Sequence, residues 1–140
     1  MSFRRLIKKP REIKESVYEA QTFNYLFTLR SRGVFVWKND EFPHPTNRQS
    51  HLRGLALDIV GVIKSQGGRH MEIEMKRPDE LAFILKHWDR MKAYIGQNKK
   101  YQRFRKQIEH AEMVQAHGGI AMFASSWEQV RDRMVEEGVA

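Results

Sequence analysis

The chain has 140 residues, 41% hydrophobic and 30% charged, with no cysteine and a formal net charge of +8. That describes a single globular domain with a real core, and it excludes a disulfide scaffold, a thiolate metal site and an intrinsically disordered chain. No apolar run approaches the roughly 20 residues a membrane helix needs, and the N-terminal MSFRRLIKKPREIK has no signal-peptide core, so a cytoplasmic protein without membrane contact is expected.

Residues 1–14 form a basic arm, six basic side chains against Glu12, ahead of a single domain at 15–140. Ile13, Val17, Ala20, Phe23, Leu26 and Phe27 recur at helical spacing over 11–32, and Gly33 ends the pattern. Residues 34–37 read as a strand. Residues 39–53, with two prolines and many turn formers, read as a loop; it is either a substrate loop or an ordinary connector. Residues 55–63 and 70–76 predict two strands joined as a hairpin through Gln66-Gly67-Gly68, the second stopped by Pro78. Helices follow over 79–96 and 100–116, the latter with Phe104, Ile108, Ala111 and Val114 on one face.

Gly118-Gly119 breaks that pattern before a strand at 120–124. Ser126-Trp127-Glu128-Gln129 has the form of a capping box, opening a last helix with Trp127, Val130 and Met134 inward. The order α-β-β-β-α-α-β-α is an α/β fold, and its sheet is mixed because a hairpin precedes the crossover helices.

The second basic cluster lies at 99–106, with five basic residues and no acid. Outside the two clusters the chain holds fourteen basic and sixteen acidic residues, so the charge excess is confined to them. Concentrated positive charge suits a nucleic-acid backbone; a solvated basic face is the plainer alternative. The candidate contacts are Arg4, Arg5, Lys8, Lys9, Arg77, Lys99, Lys100 and Arg103.

The hairpin strands carry Asp58 on one side and Glu74-Met75-Lys76 on the other. Side chains at i and i+2 share a face of a strand, so Glu74 and Lys76 point together. Unpaired charges are costly in such apolar runs. Two acids and a lysine there make either a structural salt bridge or a site that holds a divalent cation beside a phosphate. In the second reading Asp58 and Glu74 offer carboxylates and Met75 its backbone carbonyl. The compact charge of Lys76 orients water and stabilises the phosphate; acting as general base would require it to give up its proton. Glu72 shares the face of Glu74 but lies nearer the turn, which marks it as peripheral. The six histidines are scattered and read as surface or cap residues rather than ligands.

This ordered set resembles the VRR-NUC type of the PD-(D/E)xK nuclease superfamily, with GGRHMEIEMKRP and AHGGIAMFASS as the most specific stretches. The resemblance spans most of residues 15–135. It implies a restriction-endonuclease-like mixed β-sheet flanked by helices, with Glu19 as a further acid on the first helix and Glu15, one turn earlier, as its rival. It also implies that Gln107 contacts the phosphate or braces Lys76. Mg²⁺ or Mn²⁺ would be the cofactor, DNA the substrate, and 5′-phosphate ends the product, with branched or flap structures among the possible targets. Some relatives resolve four-way junctions as dimers, so a homodimer is an open alternative. A non-catalytic nucleic-acid-binding module that kept the fold is the alternative function, and RNA cleavage a third. The chain departs from the family in having four residues from Gly54 to Asp58 and room for an additional helix between Lys76 and Gln107.

Alternation makes one demand on the hairpin. Opposed residues of an antiparallel pair have a constant number sum, and only an even sum puts Asp58, Glu74 and Lys76 on one face. A three-residue loop at 66–68 gives a sum of about 134 and sets Asp58 opposite Lys76; a five-residue loop or a bulge near Gly61 serves equally.

Overall fold

Along residues 70–75 polar and apolar side chains alternate, and that alternation sorts the layers of the fold. The computed structural model describes residues 14–39 and 56–140. Arg4, Arg5, Lys8, Lys9, Ile13, Gly54 and nearly all of the expected loop at 39–53 lie outside the described residues.

Among the described residues four strands form one sheet in the order β1 (Val34–Lys38), β2 (Ile59–Ile63), β3 (Arg69–Met75), β4 (Ile120–Ala124). β1 and β2 are antiparallel, as are β2 and β3, whereas β3 and β4 are parallel. The sheet is mixed, as the hairpin followed by crossover helices requires. On one face Met71, Ile73 and Met75 of β3 join Ile59, Ile63, Ile120 and Ala124. Phe23 and Leu26 of α1 (Glu15–Phe27) and Val130 and Met134 of α5 (Trp127–Glu136) cover them. On the other face Glu72 and Glu74 meet α4 (Lys99–Ala116) through His110 and Gln107. Leu57, Ala111, Val114 and Ala121 form a smaller apolar cluster there. Among the described residues no helix is long and apolar enough to cross a membrane.

The hairpin loop has five residues, a single 3-10 turn at Lys64–Gln66 followed by Gly67 and Gly68, both with positive φ (73° and 81°). The register runs from Ile59 opposite Ile73 to Ile63 opposite Arg69, an even sum of 132. The odd loop is therefore present, but the three-residue version and its pairing of Asp58 with Lys76 are not. Two extra residues are taken up in the 3-10 turn, and continuing the register sets Asp58 opposite Glu74.

Three element boundaries also differ from the sequence reading, the first being β2, which begins at Ile59 and leaves Asp58 just outside the strand. The first helix stops at Phe27, and a separate 3-10 turn at Arg30–Arg32 leads into Gly33 with φ 81°. Only Thr22, Phe23 and Leu26 of α1 are buried, leaving Val17 and Phe27 exposed, because a helix lying on a sheet buries a narrower stripe than its apolar residues span. The expected helix at 79–96 is broken into α2 (Pro78–Lys86) and α3 (Trp88–Lys92) by His87, whose φ of −114° leaves the helical region. After the break the Trp88 ring meets Phe123 edge-on at 5.5 Å and its Nε1 donates to Glu112 at 3.0 Å.

α4 and α5 begin as their caps direct. Asn98 accepts the Tyr101 N–H and Ser126 accepts the Gln129 N–H. Gln129 returns its side-chain oxygen to the N–H of Ser125 rather than of the cap residue itself. Val130 and Met134 point inward, but Trp127 is half-buried against Tyr25 and Arg131. At the other end of α4, Gly118 adopts φ 88°, and a Cβ on Gly119 would lie 2.7 Å from Val114 Cγ1 and 2.9 Å from the His70 carbonyl. One glycine makes the turn and the other lets the helix end close on β3.

Candidate metal centre

Asp58 stands one residue before β2, where its Oδ2 accepts the Met75 N–H at 3.0 Å. Glu74 is the penultimate residue of β3, and Glu15 opens α1. One carboxylate oxygen from each of these three acids lies within 4.8 Å of the others, close enough to share a cation. Glu19 is outside this set, so the helix acid that joins Asp58 and Glu74 is its rival Glu15. The reason is position along the helix: four residues carry Glu19 about 6 Å farther on, away from the strand ends that hold Asp58 and Glu74.

Lys76, just past β3, is 3% exposed, and its Nζ lies 3.4 Å from Glu74 Oε2 and 5.1 Å from the centre of the Phe104 ring. The Gln107 amide Nε2 donates to the same Glu74 oxygen at 3.1 Å. Gln107 thus reaches the centre through Glu74 rather than through Lys76. Its Oε1 is buried and finds no hydrogen-bond partner among the described residues. Met75 commits its side chain to the apolar core and its N–H to Asp58, so its carbonyl is the one oxygen it can offer.

The electrostatics favour an added positive charge. Burial, followed by the nearby Asp58 charge, holds the Glu74 carboxyl well above its ordinary range, and Lys76 offsets this only in part. Glu15 is raised too, mainly by burial, with Lys76 opposing and Asp58 and Glu80 adding. Crowded carboxylates of this kind bind protons or a hard cation. The residues present fit a divalent ion: three carboxylates converge, and the side chain that holds one of them, Gln107, carries a buried oxygen with no hydrogen-bond partner among the described residues.

The second basic cluster borders this centre. The Arg103 charge acts on Glu15, and Lys100 lies 3.7 Å from Glu80 and over the Phe104 ring at 5.7 Å. Lys99 and Arg103 are exposed on the first turns of α4. Arg77 pairs with Glu80 at 3.1 Å and with Asp79 at 3.8 Å, which ties it to α2.

Glu72 is a second buried acid on the Glu74 face of β3. It lies outside the three-acid set, as expected of a non-ligand, but it is 3% exposed rather than peripheral. Its Oε1 accepts the Leu57 N–H at 2.9 Å and lies 2.8 Å from His110 Nε2, and its Oε2 lies 2.6 Å from His70 Nε2. His110 and His70 are therefore carboxylate partners, whereas His117, bonded to the Met113 carbonyl, closes α4 as a cap residue should. The signal was present in the spacing: 70, 72, 74 and 76 share one strand face, and Gln107 and His110 lie one turn apart on the helix above it.

Neither a protein-family model, nor a curated protein, nor a solved structure matches the chain.

Proposed function

We propose that the protein is a divalent-metal-dependent nuclease that hydrolyses DNA phosphodiester bonds, with Mg²⁺ or Mn²⁺ as its cofactor. The observation that carries the reading is the buried Lys76 ammonium beside Glu74 at the meeting point of three carboxylates. A salt bridge alone would need one acid, whereas two further carboxylates, Glu15 and Asp58, converge on the Glu74–Lys76 pair. The mixed sheet, with a hairpin followed by a helical crossover to a parallel edge strand, agrees with the restriction-endonuclease-like arrangement that the sequence resemblance implies.

In hydrolysis a water oxygen bonds to phosphorus in line with the departing 3′ oxygen, which takes up a proton and leaves a 5′-phosphate end. A bound divalent cation supplies Lewis acidity and helps a water lose its proton. Glu15, Asp58 and Glu74 would hold that cation through hard oxygens. Lys76, fixed by Glu74 and Phe104, directs its ammonium to the charge that grows on the phosphate oxygens. Gln107 keeps Glu74 oriented. Lys99, Lys100 and Arg103 line the approach with positive charge suited to the DNA backbone.

The test is incubation with single-stranded, duplex, flap and four-way-junction DNA, with and without Mg²⁺ or Mn²⁺. Cleavage is expected only with metal and is expected to fall on the order of 10³-fold in Asp58→Ala, Glu74→Ala and Lys76→Ala. DNA binding without cleavage under every condition would instead make the protein a non-catalytic module, and cleavage confined to RNA would correct the substrate.

A further inference from the structure

Asp58 is delivered by a short backbone stretch outside the sheet ladder, and that stretch is pinned on both sides. Asp58 Oδ2 takes the Met75 N–H, and Asn39 reaches the Ala56 and Asp58 carbonyls with its side chain and its N–H. A further hold is the Leu57 N–H, which donates to Glu72 Oε1 at 2.9 Å. Glu72 stands two residues before Glu74 on the same face of β3. A buried carboxylate there is costly, and Leu57, Ala111, Val114 and Ala121 form an apolar cluster that an aliphatic side chain would suit. What an aliphatic residue could not do is accept the Leu57 N–H. His110 on α4 and His70 on β3 brace the carboxylate from its two oxygens, so it reaches Leu57 in a single orientation.

We propose that Glu72 is a positioning residue: braced by His110 and His70, it grips the Leu57 N–H and so sets where Asp58 presents its carboxylate to a divalent cation. This rests on the metal-centre reading above. Groups that orient metal-binding residues commonly alter affinity by roughly 10–100-fold without touching the ion.

The experiment is Mn²⁺ titration of the full chain without DNA, followed by calorimetry or by the spin resonance of free Mn²⁺, alongside thermal melts. Glu72→Asp keeps the charge but is one methylene short of Leu57, and is expected to weaken Mn²⁺ about tenfold. Glu72→Gln keeps both length and an oxygen acceptor, and is expected to stay near wild type. A purely structural Glu72 would lower the melting temperature in Glu72→Asp while the folded protein bound Mn²⁺ as wild type does, which would overturn the proposal. An equal loss in Glu72→Gln would overturn it too, by pointing to charge rather than position. Should Glu72→Asp fold poorly, His110→Ala removes the brace on α4 and is expected to weaken Mn²⁺ by about threefold; wild-type affinity there is the refuting result. A wild-type protein that binds no Mn²⁺ would remove the metal-centre reading itself, whereas binding that none of these changes disturbs would remove only the role of Glu72.

Discussion

Gln107 Nε2 donates to Glu74 Oε2 across 3.1 Å, joining α4 to the end of β3 at the carboxylate most displaced from its ordinary titration range. A neutral amide on a buried carboxylate holds its orientation without competing for a cation. Gln107→Leu removes the donor and leaves Glu74 buried with less support. The expected result is weaker Mn²⁺ binding by about tenfold, with cleavage recovering at high Mn²⁺. Titrating cleavage rate against metal concentration separates this outcome from a loss of turnover.

Glu15 and Glu19 make a paired prediction. Glu15→Ala is expected to weaken metal binding and cut cleavage by more than about tenfold, since it takes one oxygen from the three-acid set. Glu19→Ala is expected to change either by no more than about twofold. The reverse ranking in parallel assays would restore Glu19 as the helix acid.

The pH dependence follows from Glu74. Its folded carboxyl titrates above its ordinary value of 4.5 because of burial and Asp58, and Glu15 shifts the same way. As pH rises above the ordinary carboxylate range, the unfolded chain loses its proton first. The metal-free folded state is therefore favoured at low pH and loses stability as pH climbs through the raised value. Divalent metal competes with the proton, so its stabilising effect is expected to grow over the same interval. Melts from about pH 5 to pH 8 with and without Mn²⁺ measure both slopes. A metal-free melting temperature that rises across this interval in wild type relative to Glu74→Gln would contradict the assignment.

DNA affinity is expected to fall steeply with salt, because phosphate contacts release counterions. Lys99→Ala and Arg103→Ala are each expected to reduce the slope of log K against log salt by about one unit. Arg77→Ala is expected to do less, since its guanidinium already pairs with Glu80 and Asp79. Slopes from fluorescence anisotropy at several salt concentrations check the ranking.

Gly119→Ala tests how closely α4 closes on β3. The added Cβ would meet Val114 Cγ1 at 2.7 Å and the His70 carbonyl at 2.9 Å. A backbone oxygen gives way poorly, and a loss of about 1–3 kcal/mol is expected, read from urea unfolding. Stability equal to wild type would mean that the turn relaxes freely.

Much of the fold was already written in local patterns. The 2-residue alternation along β3, the apolar stripe of Phe104, Ile108, Ala111 and Val114, and the cap at Ser126 specify elements through neighbours close in the chain. The same alternation required Asp58, Glu74 and Lys76 to share a face, and with it an odd hairpin loop. Tertiary structure decided what depends on distance rather than spacing. Glu15 and Glu19 are equivalent in periodicity, and only the placement of the α1 N-terminus against the strand ends selects Glu15. Five loop residues and three satisfy the same parity, and only the folded turn selects five. Glu72 read as peripheral because its partners Leu57 and His110 lie 15 and 38 residues away. Burial and long-range partners set the energy of an ionisable group, and neither is a property of the few residues around it.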